Sequence, residues 1–310
     1  MKIYVLDRFH EPGIELAAQH HEVIRWDDPR VAGWHEDADG VMVRISPIRA
    51  DDFARARRLK AIVKQGVGVD NIDLAAAKKH GVVVSNTPGV NREAVAEMAM
   101  ALALAVARRL GESDRRIRSG ETLERANVLG LELWEKTVGI IGMGNIGTRA
   151  ALKWRGAFNV RILAYDPYVP ADRWSDIAHE RVASLEEMLP QVDLLTPHVP
   201  LTDETRHMIG RRELALMKKT AIVVNVARGG IVDEAALYDA LAEGRLFGAG
   251  FDVFESEPPT ALNKLVGLPN FVSTPHAAGG TAETQTRSSL QVARQLLDIL
   301  AGKEPVNRVA

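Results

Sequence analysis

The sequence predicts an α/β protein built on parallel sheets, and three observations lead there. Strand-like apolar runs alternate with helical patterns along the whole of the 310 residues, as expected of βαβ units. One such run, Val138 to Ile141, opens directly onto Gly142, Gly144 and Gly147. A second, Val160 to Tyr165, ends at Asp166, nineteen positions after Gly147. The length allows two domains of ordinary size, each with its own core.

In order along the chain, Lys2 to Leu6, Glu22 to Arg25, Gly40 to Arg44, Leu59 to Lys64 and Val82 to Ser85 read as strands separated by helices, enough for a small sheet domain. Asn91 to Leu110 reads as one long Ala-rich helix. Gly111 to Glu135 is charged and has no clean period, so it is expected as an excursion that packs on a partner subunit. Strands are then expected at Val138 to Ile141, Val160 to Tyr165, Asp193 to Thr196, Ala221 to Asn225, Gly248 to Val253 and Phe271 to Ser273. Six strands suit a doubly wound sheet. Thr284 to Leu300 reads as a closing helix before a polar ending, Gly302 to Ala310.

The glycine run carries the first chemical expectation. Gly142 permits a tight strand-to-helix turn, Gly144 lets backbone approach a pyrophosphate, and Gly147 lets the helix pack on the sheet. The helix N-terminus offers free N–H groups to phosphates. A carboxylate at Asp166 can accept hydrogen bonds from both ribose hydroxyls of an adenosine and repel a 2′-phosphate. The expected cofactor is therefore NAD rather than NADP.

Composition excludes other classes. Charged residues make up 26%, hydrophobic ones 46%, and the formal net charge is −2, which implies no electrostatic partner such as nucleic acid. Cysteine is absent, so disulfides, thiolate metal sites and a cysteine nucleophile are excluded and a reducing, cytoplasmic setting fits. The start MKIYVLDRFHEPG has no secretory apolar region, and Met98 to Ala107 is too short to span a bilayer, so no membrane partner is expected. HExxH, GxxxxGK and a serine-nucleophile elbow do not occur, and no catalytic metal is expected. The arginine groups Arg55, Arg57, Arg58 and Arg115, Arg116, Arg118 lie among acids and read as solvated helix faces.

In an open parallel sheet, ligands sit beyond the carboxyl ends of the strands. Arg228 in NVARGG, Glu257 in DVFESEP and His276 in STPHAAGG each follow a strand by three or four residues. Taken singly, each has a bland reading as a surface, turn or interior residue. As a set they supply an acid/base at a substrate oxygen (His276), a carboxylate that fixes its tautomer (Glu257) and a bidentate partner for a substrate carboxylate (Arg228). His198, at a strand end beside the expected cofactor, is expected to be structural.

GMGNIG with Asp166, then HVPLT, NVARGGIVDE, FDVFESEP and TPHAAGG, in that order, resemble the D-2-hydroxyacid dehydrogenase family. KQGVGVDNID and NTPGVNREAVAE are similar to its substrate-loop and connector motifs, most like phosphoglycerate dehydrogenase-like members, and the likeness covers nearly the whole chain. It implies two Rossmann-like domains, one flavodoxin-like and one doubly wound. Residues 1–98 and 283–310 would form the substrate domain, and an NAD-binding domain, 99–282, would be inserted in it. It implies Arg228 as substrate anchor, Glu257 as orienting acid and His276 as acid/base. Gly142, Gly144, Asn145, Ile146, Gly147, Asp166, Pro200, Val226 and Ala278 would line the cofactor, with Asp252 by the carboxamide. The N–H groups around Val67 and Gly68 would bind the substrate carboxylate. It also implies an active-site cleft that closes, and a homodimer paired through the nucleotide domain.

Arg44 and Lys64 end their strands, and both are expected to serve a second anionic group on the substrate, a phosphate, sulfonate or carboxylate. Lysine keeps the charge that an arginine commonly carries at that place in phosphoglycerate dehydrogenases but lacks its fork. Glyoxylate and hydroxypyruvate reductases of the same family stay open as alternatives. So does a different class, the NAD-sensing corepressors, which keep the Arg, Glu and His but act as scaffolds. A regulatory C-terminal domain like that of longer phosphoglycerate dehydrogenases is not expected.

Overall fold

The computed structural model describes residues 1–310, which form two compact units, Met1–Asn91 with Gly280–Ala310, and Arg92–Gly279. The first unit begins with β1 (Lys2–Val5), α1 (Glu11–Ala18), β2 (Glu22–Ile24) and β3 (Gly40–Val43), and continues through α2 (Ala50–Arg55), β4 (Ala61–Lys64), α3 (Leu74–Lys79) and β5 (Val83–Asn86). All five strands pair in parallel, in the order β2-β1-β3-β4-β5. Both faces of the sheet are covered, which is why β3 and β4 read as unbroken apolar runs rather than alternating ones. Ile3, Val5, Met42 and Val63 point to one core, with the C-terminal helix Ala282–Leu300 lying over it. Tyr4, Val41, Val43 and Ile62 point to the other, as the two-residue period of a strand requires.

The second unit contains α4 (Arg92–Ala107), α5 (Leu110–Arg118), β6 (Thr137–Ile141), α6 (Asn145–Phe158), β7 (Arg161–Tyr165), β8 (Glu180–Arg181) and α7 (Leu185–Met188). It continues with β9 (Leu194–Pro197), α8 (Arg211–Leu216), β10 (Ile222–Asn225), α9 (Glu234–Ala242), β11 (Gly248–Phe251) and β12 (Phe271–Ser273). The closing helix of the chain is α10 (Ala282–Leu300), which belongs to the first unit. The parallel sheet has the order β12-β11-β10-β9-β6-β7-β8. The chain reverses direction across the sheet at β6 and β9, the topological switch point at which ligands bind in such folds.

Three expectations are corrected. The single helix over Asn91 to Leu110 stops at Ala107, and Arg109 in a left-handed conformation (φ +50) starts α5. Part of the segment expected to lack periodicity is therefore helical. It carries ion pairs, Arg109 and Arg116 with Glu112 and Arg118 with Asp114, while Leu110 and Ile117 stay exposed. With its apolar residues exposed, the helix shows no buried apolar stripe to read. The sheet has seven strands rather than six, because β8 is two exposed residues at the edge.

Candidate active site

The turn after β6 is shaped by close approach. Gly142 has φ +93, and a Cβ there would meet the carbonyl of His198 at 2.7 Å. A Cβ on Gly147 would sit 2.0 Å from the Gly142 oxygen, so neither position tolerates a side chain. Gly144, the N-cap of α6, has open space where a Cβ would go and no side-chain cap. The amides of the first turn, which begins with Asn145 and Ile146, are thus available to an anion. An open cradle over an uncapped helix start fits the pyrophosphate of a dinucleotide.

At the end of β7, the Asp166 carboxylate accepts from the Met143 amide at 2.8 Å and the Tyr168 amide at 3.0 Å. It thereby ties its own loop to the glycine turn and keeps lone pairs for a ribose. Arg181 donates to the carbonyls of Asp166 and Val169, and Arg173 to that of Met143. The Tyr168 hydroxyl donates to Glu204 in the loop after β9, which raises the tyrosine pKa. That bond joins the two loops flanking the glycine turn. Pro200, in the same loop, accepts at its carbonyl from Thr205 at 2.6 Å.

His198 donates its amide to Ile141 at 2.7 Å, and its Nε2 lies 3.2 Å from the Thr196 hydroxyl. Part of the residue reaches the surface, but Nδ1 is buried without a partner, and burial pushes the ring pKa down to about 4. The ring is held neutral.

The carboxyl ends of β10, β11 and β12, three adjacent strands, carry the other candidates. The His276 Nδ1 lies 2.7 Å from Glu257 Oε2, and because the carboxylate can only accept, the ring donates there. Glu257 Oε1 accepts from the Phe254 amide at 3.0 Å, so the acid is itself fixed. His276 is half-exposed, has φ +54, and donates its amide to the Asp252 carbonyl at 2.7 Å. The Asp252 side chain is fully buried and accepts from the Thr274 hydroxyl and the amides of Ala277 and Ala278 at 2.5, 2.8 and 2.9 Å. Its carboxylate templates the histidine loop. Val226 and Ala278 are buried in the apolar cluster that α4 shares with the sheet.

Arg228 lies in a turn clasped by Asn225. That side chain is fully buried, with Nδ2 donating to the Arg228 carbonyl at 2.8 Å and Oδ1 accepting from the Ala227 amide at 3.1 Å. The Arg228 guanidinium donates to the Ala227 carbonyl at 2.7 Å.

In the first unit, Arg44 is exposed just past β3. Lys64 differs from the expectation of a charge presented to a ligand. It is 8% exposed, and its ammonium donates to the Gln65 carbonyl at 2.8 Å and lies 3.7 Å from where a Cβ of Gly66 would be. The cation sits beneath the loop that follows. In that loop Gly66 has φ +105 and donates to the Thr87 hydroxyl, and the Val67 carbonyl accepts from Asn86 Nδ2, both at 2.7 Å. The amides of Val67 and Gly68 make no hydrogen bond within the chain. Two N–H groups without a partner in the chain, in the loop after a buried lysine, suit a carboxylate.

Sequence reasoning missed Asn225, Arg173, Arg181 and the Tyr168–Glu204 pair. Asn225 was within reach, since a strand-terminal asparagine two residues before a tight turn is a common backbone clasp.

Taken together, the second unit is a dinucleotide-binding domain carrying a carboxylate-oriented histidine. The family model for the NAD-binding domain of D-isomer specific 2-hydroxyacid dehydrogenases matches residues 100–278. A D-3-phosphoglycerate dehydrogenase of Methanocaldococcus jannaschii is 41% identical over all of this chain, which spans 59% of that protein's length. A glyoxylate reductase of Korarchaeum cryptofilum is 40% identical over 99% of this chain and 95% of its own. A solved D-lactate dehydrogenase of Aquifex aeolicus, complexed with NAD and lactic acid, is 29% identical with TM-score 0.82, covering 97% of this chain and 96% of that one. The chain belongs to the D-isomer specific 2-hydroxyacid dehydrogenase family, whose members are NAD-dependent oxidoreductases.

Proposed function

We propose that this protein reduces a 2-keto acid to the D-2-hydroxy acid with NADH, or runs the reverse oxidation, and that its substrate carries a second anionic group, as phosphoglycerate does. The observation that carries the chemistry is the His276–Glu257 contact, 2.7 Å at Nδ1. The carboxylate fixes the tautomer and stabilises the imidazolium, so Nε2 delivers a proton to the keto oxygen and takes it back in the reverse direction. NADH, when bound, supplies the hydride that goes to the carbonyl carbon. Arg228 pairs with the substrate carboxylate and polarises the adjacent carbonyl. In the first unit, the amides of Val67 and Gly68 are proposed to bind a substrate carboxylate, with the Lys64 charge beneath them. Arg44 takes the second anion.

On the cofactor side, Gly144, Asn145 and Ile146 serve the pyrophosphate and Asp166 the adenosine ribose, which favours NAD over NADP. Pro200, Val226 and Ala278 line the cofactor, and Asp252 lies by the carboxamide, acting through the backbone it organises. A monoanionic substrate, glyoxylate or hydroxypyruvate, is the second reading, favoured by the burial of Lys64, which leaves Arg44 as the exposed cation.

The partner proposed is a second copy of the chain. Leu110, Ile117, Leu129 and Trp134 are each more than half exposed in the 110–135 segment, an apolar surface that a dimer would cover. Light scattering of wild type and of Leu129→Glu/Trp134→Glu tests this, the proposal requiring a dimer that the double variant loses. No helix is long and apolar enough to cross a membrane. The cytoplasm is the compartment proposed, since cysteine is absent.

The deciding experiment is the initial rate of NADH oxidation, with NADPH in parallel, against glyoxylate, pyruvate, hydroxypyruvate, phosphohydroxypyruvate, sulfopyruvate and oxaloacetate. His276→Ala is the control. Turnover that collapses in the variant supports the dehydrogenase reading, and the best acid names the substrate class. NADH binding without turnover of any acid would defeat it in favour of a scaffold.

A further inference from the structure

Asp7 lies two residues past β1, which neighbours β3 in the sheet, so its side chain meets the loop that leaves β3. Three consecutive amides converge on this one carboxylate. Arg44 N donates at 2.6 Å, Ile45 N at 3.0 Å and Ser46 N at 3.1 Å, and the Ser46 hydroxyl adds a fourth donor at 2.7 Å. Asp7 is 8% exposed, so water does not substitute for these bonds. From the other side, Asn71 Nδ2 donates to the Ser46 carbonyl at 2.7 Å, and Ile48 N donates to the Asn71 carbonyl at 2.8 Å. The backbone of 44–48 is pinned along its length. The side chains it presents are not: Arg44 is exposed and its guanidinium makes no ion pair or hydrogen bond within the chain, and Ile45 is 74% exposed.

From this arrangement we infer that Asp7 is the positioning residue for substrate selectivity: it holds the Arg44 backbone rigid so that an otherwise unpaired guanidinium is aimed at the second anionic group of the substrate. The inference deepens the reading of Arg44 given above and rests on it. A guanidinium discriminates a dianion from a monoanion in proportion to how little freedom it loses on binding, and a pinned backbone reduces that loss. Losing the Asp7 carboxylate leaves three amides without an acceptor, and the loop must rearrange to satisfy them. Asp7→Asn keeps one acceptor oxygen and turns an amide donor toward N–H groups, so it acts in the same direction as Asp7→Ala but less strongly.

The test reads a selectivity ratio: kcat/KM for the best dianionic acid among phosphohydroxypyruvate, sulfopyruvate and oxaloacetate, divided by kcat/KM for glyoxylate. Wild type, Asp7→Asn, Asp7→Ala, Arg44→Ala and Asp7→Ala/Arg44→Ala are compared, with NADH affinity and thermal midpoint measured for each. The expected result is a ratio about tenfold lower in Asp7→Ala, expressed in KM for the dianion, with a smaller fall in Asp7→Asn. Arg44→Ala lowers the ratio, and adding Asp7→Ala to it brings no further fall, because the two act through one group. A ratio that Arg44→Ala lowers and Asp7→Ala does not, or losses in Asp7→Ala that are equal for both acids, would overturn the inference while the reading of Arg44 stands. A ratio that Arg44→Ala leaves where it was, or a wild type with no dianion preference, removes the reading of Arg44 and the inference with it.

Discussion

Asn225 holds Arg228 by the backbone: one side-chain amide, fully buried, donates to the Arg228 carbonyl and accepts from the Ala227 amide. The arginine proposed to meet the substrate is therefore aimed by a residue that cannot itself reach solvent. Asn225→Ala leaves a buried N–H and C=O without partners, at about 1–3 kcal/mol. It is expected to raise KM for the keto acid by roughly tenfold, with the NADH dissociation constant within about twofold of wild type. Steady-state kinetics beside a fluorescence titration of NADH separate the two.

Glu257→Gln replaces the acceptor at His276 Nδ1 with a group that can donate as well as accept, so the tautomer is no longer enforced. A fall in kcat of roughly a hundredfold with KM little altered is expected, in line with the usual size of oriented acid/base catalysis. Equal kcat in the two proteins would remove Glu257 from the chemistry.

The glycine turn separates stability from binding. Gly147→Ala drives a Cβ to 2.0 Å from the Gly142 oxygen, a backbone contact that cannot move cheaply, and roughly 3 kcal/mol or more of stability should go with it. Gly144→Ala enters open space at φ −76, so the thermal midpoint should stay within a few degrees while NADH affinity falls at least tenfold. Paired thermal melts and titrations check both.

Acid should weaken the fold through His198. Its ring pKa is pushed from 6.5 down to about 4 in the folded chain, so below about 6.5 the unfolded chain binds the proton more tightly. Stability conferred by the neutral ring is present above pH 6.5, is lost as pH falls toward about 4, and falls no further below that. At about 1.4 kcal/mol per unit the loss is at most about 3.5 kcal/mol. His198→Gln should flatten this limb in urea midpoints taken between pH 7 and pH 4.5.

Much of the molecule was legible in its residues, for identifiable reasons. Val41 to Val43 and Ile222 to Val224 read as strands because both faces of their sheets are covered and no polar residue interrupts the run. Gly142 and Gly147 were legible because only glycine fits where backbone meets backbone. What escaped were polar side chains whose partners are main-chain groups distant in sequence. Asp7 reaches 37 to 39 residues ahead, and nothing around LDR distinguishes it from a solvated acid. The burial of Lys64 escaped too, since a lysine ending a strand most often reaches water.

The first unit is made from both ends of the chain, and this sets the order in which a ribosome can complete the protein. Ile3, Val5, Met42, Ala61 and Val63 share their core with Val292, Ala293 and Leu296 of α10. Those partners are synthesised only after the whole of Arg92–Gly279. Until then that face of the early sheet is covered only by Phe9 and by Ile14 and Ala17 of α1, while the second unit, continuous in sequence, is free to fold. The dinucleotide-binding unit can fold without the last helix, whereas the core of the first unit closes only when α10 docks.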